Sequence, residues 1–158
     1  MDFLQMSGSL LLLLSGVALG CSLNRGAGAV LTQIDAYVRL LRTVKREISC
    51  FALPIEEILL RTDPSILTGC GWIGEPPRSF SELLSRTPPK DSEGKRLLLA
   101  FSSEFGRGYR EEQEALLDYY LSFLEAREDE LRERVAGKKR VNLTLCSAGA
   151  AALVILFL

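Results

Sequence analysis

Charge is confined to the middle of this chain. All 19 lysines and arginines, and every acidic residue except Asp2, lie between Arg25 and Arg140. The order is apolar, then charged, then apolar, and this explains a mean hydropathy of +0.16. Phe3 to Leu23 is uncharged. At the helical rise it spans roughly 31 Å, against a bilayer core of ~30 Å. Val141 to Leu158 is also uncharged and reaches roughly 27 Å. The pattern predicts a transmembrane helix and its flank over 1–26, a helical domain over 27–140 and a second transmembrane helix over 141–158.

The flanking charges predict an orientation. Asp2 is the only charge ahead of the first apolar run and Arg25 follows it, while Lys138, Lys139 and Arg140 directly precede the second. By the positive-inside rule the middle faces the cytoplasm and both termini lie on the opposite side. Ala18-Leu19-Gly20-Cys21 offers a competing reading. There Cys21 would be a lipobox cysteine and the chain a lipid-anchored extracytoplasmic helical binding protein. A signal peptide wants a basic stretch before its apolar core, and none is present. Gly16 and Gly20 form a G-x-x-x-G pair that would let another membrane helix approach closely.

The middle reads as helix after helix. Val30, Ile34, Tyr37, Leu41, Val44 and Ile48 recur at three- and four-residue steps and predict one apolar helix face. Arg39, Arg42 and Arg46 share the opposite face, a candidate surface for docking an acidic partner or for lying against anionic lipid, the alternative being a solvated face. Pro54 suits the first position of a helix through "PIEEILLR", which Asp63-Pro64 should interrupt. "TGCGWIGEPPR" and "TPPKDSEG" read as loops. Trp72 either caps the core, the favoured reading, or contacts a partner. Ser79 and Glu82 have capping-box spacing. A fourth helix is predicted from about Lys95 to Phe105. A long fifth runs from about Tyr109 to Ala136, with Gly137 as its cap or hinge. The predicted class is all-α, a small bundle of about five helices.

Little here suits chemistry. The chain has no histidine, which removes the commonest general base and metal ligand. Glu56-Glu57 and Glu111-Glu112 are adjacent pairs, pointing about 100° apart on a helix, so neither converges on one substrate. No phosphate loop, dinucleotide fingerprint or nucleophile elbow is present. The middle carries equal numbers of each sign, without bulk attraction for nucleic acid. Cys21, Cys50, Cys70 and Cys146 form no C-x-x-C and read as reduced thiols. The expectation is a non-enzymatic assembly protein with no cofactor, metal, small-molecule substrate or nucleic-acid partner.

"LLRTVKREISCFALPIEEIL" (40–59) and "FGRGYREEQEALLDYYLSFLEAREDELRERVAGKKR" (105–140) resemble the stage III sporulation protein AB family. The shared features are an E-I ahead of a P-x-E-x-x helix, and a glycine turn followed by Gln113 and a long charged helix. The resemblance implies an endospore-forming bacterium and a component of the channel complex linking mother cell and forespore. It implies a fold similar to the cytoplasmic domain of the type II secretion platform protein. The implied partners are a secretion-type ATPase and other membrane components of the channel.

Overall fold

The computed structural model describes the backbone of residues 3–51 and 53–157. Side chains are described from Gly26 to Lys138, apart from Ala27 and Ala52, and again at Val141 and Thr144. The described residues form six helices: α1 (Phe3–Phe51), α2 (Ile55–Arg61), α3 (Pro64–Cys70), α4 (Phe80–Arg86), α5 (Ser92–Glu104) and α6 (Arg110–Phe157). None of them forms a strand, and the chain is all-α. It divides into two compact units, Val30–Leu131 and a second made up of Met1–Ala29 and Arg132–Leu158. The side chains that carry the membrane reading of the two ends lie outside the described residues. Among the described residues, no helix is long and apolar enough to cross a membrane.

The unit Val30–Leu131 is a helical body. The apolar face expected on α1 forms its centre: Ile34, Tyr37, Leu41, Val44 and Ile48 are buried, joined by Val38 and Leu40. Truncating any of the large ones to alanine costs on the order of 2–5 kcal/mol. The rings of Phe80, Phe101, Phe105 and Tyr120 make a second cluster between α4, α5 and α6, with Phe80 edge-on to Phe101 at 5.0 Å. Trp72 is core, and its indole N–H donates to the Glu75 carbonyl at 2.6 Å.

Helix ends follow local chemistry. Asp63 caps α3 through the Ser65 N–H at 2.8 Å, with Pro64 in the first turn. Ser79 caps α4 through the Glu82 N–H at 3.1 Å, while Glu82 reaches back to the Arg78 N–H rather than to that of Ser79. Four boundaries differ from those expected. Pro54 is the cap of α2 and not its first residue. Thr68, Gly69 and Cys70 belong to α3, which ends on Gly71 in the left-handed conformation (φ 102°). Helix α5 starts at Ser92 and not at Lys95, because the Asp91 carboxylate takes the Gly94 N–H at 2.7 Å. Gly137 neither caps nor ends α6, which continues through it.

Candidate docking face

The geometry begins with how α1 is held. On its inner side Gln33 is a buried staple. Its amide donates to the Cys70 carbonyl at 2.9 Å and accepts from the Lys90 N–H at 2.9 Å, tying α1 to the end of α3 and to the loop before α5. One turn on, the Tyr37 hydroxyl donates to the Thr87 carbonyl at 2.6 Å. Burial pushes the Tyr37 hydroxyl above its ordinary range and the Cys70 thiol up to about 12. Both groups stay protonated at neutral pH.

The other side of α1 meets α6. Arg42 bonds Glu125 through both Nε and Nη2, at 3.0 and 2.7 Å. Lys45 pairs with Asp118, and Arg110 donates to the Ser49 carbonyl. As residue numbers rise on α1 they fall on α6, so the two segments run antiparallel within the body. Arg110 also satisfies a carbonyl at the C-terminal end of α1, where a cation is favoured.

The three candidate arginines all lie on this solvent-facing surface. Arg39 pairs with Asp35 at 2.9 Å, Arg42 with Glu125, and Arg46 with Glu47 at 3.2 Å. In each pair the guanidinium stands outside its carboxylate: 63% against 29% exposed, 57% against 38%, and 67% against 19%. A molecule approaching α1 therefore meets cations first. Such surface pairs add little stability, typically about 0–1 kcal/mol. Arg46 also lines a cleft with Glu47, Ile58, Arg61, Asp63 and Ile66. Arg61, to which the periodicity of α1 does not point, is paired with Glu57, and Glu47 and Asp63 line the same cleft, which therefore carries both signs. Gly16, Gly20 and Cys21 lie outside the residues whose side chains are described. Cys50 is exposed and Cys70 buried, both as free thiols.

A further pair went unread in the sequence. Arg127 of α6 holds Asp91 in a two-pronged bridge, Nε to Oδ2 at 2.9 Å and Nη2 to Oδ1 at 2.7 Å. Asp91 is 7% exposed and Arg127 15%. The bond to Asp91, joined by one to Glu130, holds the guanidinium protonated more tightly still. The same Asp91 caps α5, so one carboxylate fixes the start of α5 against the middle of α6. The only signal for it was an aspartate ahead of "SEGKR", the position of a helix cap. Gln113 also gains a role: its side-chain oxygen takes the Gly106 N–H at 2.9 Å and ties the glycine turn to α6. Among the described residues, no three histidine, cysteine or acidic side chains are grouped to hold a metal ion.

A family model described as stage III sporulation protein AB matches residues 78–158, just over half of the chain, from the N-terminal side of α4 through α6. No curated protein and no solved structure matches the chain.

Proposed function

Since this chain belongs to the stage III sporulation protein AB family and so serves sporulation, we propose that it is a non-enzymatic assembly component of a mother cell–forespore channel complex. Its body faces the mother-cell cytoplasm. Its uncharged ends, within 3–23 and 141–158, hold it in the cell membrane as two spans. On this reading the α1 surface receives the complex's secretion-type ATPase and passes its position to the membrane components. Gly16 and Gly20 serve helix packing within the bilayer. The observation that carries the reading is the outward set of guanidiniums at Arg39, Arg42 and Arg46, on a helix locked to the core by Gln33 and Tyr37. A rigid helix with its cations outermost suits an acidic docking partner, because electrostatic complementarity sets partner choice and approach rate.

Reversing all three arginines tests this. Arg42→Glu would also repel Glu125, so the variant carries Glu125→Arg to keep the clasp to α6. Loss of co-purification with the ATPase, with unchanged helical circular dichroism, is the expected result. Retained co-purification would leave the arginines as solvated surface and end the docking assignment.

A further inference from the structure

The seam between α5 and α6, on the opposite flank of α6 from its clasp to α1, carries a second surface. Helix α5 packs antiparallel to α6: Asp91 meets Arg127 near one end, and Glu104 accepts from the Tyr120 hydroxyl at 3.0 Å near the other. Along this seam Leu97, Leu116 and Phe123 line two shallow clefts, one towards each end. Tyr119 and Phe123, one helical turn apart, stand edge to face at 4.9 Å. Both are exposed, at 57% and 46%. Two touching aromatic rings left in water are unusual away from an interface, where such side chains act as anchors.

The two clefts hold four carboxylates and two guanidiniums, Arg107 and Arg127, an acidic excess. Glu93 and Glu104 lie along the α5 wall, Glu112 and Glu130 along the α6 wall. Part of that excess is met within the protein: Arg127 bridges the buried Asp91 and Glu130, and Arg96 pairs with Glu93, while Arg107 sits at the turn. Helix α5, 13 residues long, bounds the seam over about 20 Å at the helical rise, room for between three and four turns of a second helix.

We infer that the α5/α6 seam is a docking groove for a basic amphipathic helix of a partner protein. Its apolar face seats on Leu97, Leu116, Tyr119 and Phe123, and its lysines or arginines face the glutamates of both walls. This is helix-in-groove recognition, with charge setting approach and aromatic anchors setting lifetime. The groove is independent of the α1 docking face and stands or falls separately from it.

The test uses the full chain in nanodiscs of zwitterionic lipid, with empty nanodiscs as the control. The probe is a fluorescent synthetic helix with leucine on one face and lysine on the other. A leucine–glutamate counterpart checks the sign of charge. Binding of the lysine helix, weakened by salt and loosened roughly tenfold or more by Phe123→Ser or Tyr119→Ser, is expected. Both substitutions fall on exposed positions, and Glu93→Lys with Glu130→Lys gives a second route to the same loss. Equal binding of the two peptides, or undiminished binding by the serine variants, overturns the proposal. So does self-association of the chain that Phe123→Ser abolishes while the lysine helix fails to bind, since the seam would then be a contact between copies.

Discussion

Replacing Arg127 by methionine removes one partner of the most buried ion pair described in the body. Methionine keeps the length and most of the apolar stem, so little cavity opens. The Asp91 carboxylate, 7% exposed, then loses both guanidinium bonds and keeps the Gly94 N–H. Breaking a buried pair by deleting one member costs roughly 3–5 kcal/mol, because the remaining charge is left uncompensated. The residual exposure of Arg127 admits some water, and the Gly94 bond offsets part of the loss, so the low end applies, about 3 kcal/mol. A body of this size shifts its melting temperature by ~4–8 °C per kcal/mol, so a drop of about 12 °C or more is expected. Thermal loss of helical circular dichroism in the full protein reads it. Arg96→Ala, which removes an exposed i,i+3 pair with Glu93, is the control and should leave the melt unmoved. Asp91→Asn with Arg127→Met should recover part of the loss, since the buried charge disappears while an asparagine can still cap α5. A melt of Arg127→Met within about 2 °C of the natural protein would refute the view that Asp91 depends on this bridge.

Two further predictions come from the core. A Cβ at Gly94 would stand 2.5 Å from Ile34 Cδ1, and one at Gly69 2.8 Å from Ala36 Cβ. Ala36 Cβ cannot swing away, so Gly69→Ala should destabilise by about 1–3 kcal/mol through overpacking despite alanine's better helix propensity, whereas the Ile34 methyl can shift and Gly94→Ala should cost less; chemical denaturation should show the difference. The second concerns alkali. Burial raises the Cys70 thiol from its ordinary value of 9.0 to about 12. Above pH 9 the unfolded chain loses this proton and the folded chain keeps it, so stability is full below pH 9 and declines towards 12. Cys70→Ala should flatten that decline; an unchanged slope would place its cause elsewhere.

Much of the body could be read from sequence because its signals are local and periodic. The three- and four-residue spacing of Ile34, Tyr37, Leu41, Val44 and Ile48 reports directly on a buried face. Asp63-Pro64 and Ser79-x-x-Glu82 are caps whose chemistry is complete within a few residues. The start of α5 was misplaced for a related reason: a run of proline, lysine and aspartate resembles a loop until Asp91 is recognised as a cap. Gly137 was misjudged because glycine lowers helix propensity only modestly, by about 1 kcal/mol, and α6 runs through it.

The candidate face was legible only in part. That Arg39, Arg42 and Arg46 share one side of α1 follows from periodicity. That Arg42 is clasped by Glu125, 83 residues away, does not. Neither does the cleft that Arg61 shares with Arg46, which depends on where α2 packs. The bridge between Asp91 and Arg127 was hidden for the same reason: on sequence alone Arg127 is one more charge on a charged helix.

The side of the membrane on which the body lies is the premise for ATPase docking, and Cys50 reports it most directly. Cys50 is exposed, whereas Cys70 is buried with its thiol held protonated. With Cys21 and Cys146 changed to serine, Cys50 becomes the thiol open to an impermeant maleimide. Intact cells should leave Cys50 unlabelled, and permeabilised cells should label it fully. Labelling in intact cells would put the body outside the cytoplasm and contradict docking to a cytoplasmic motor.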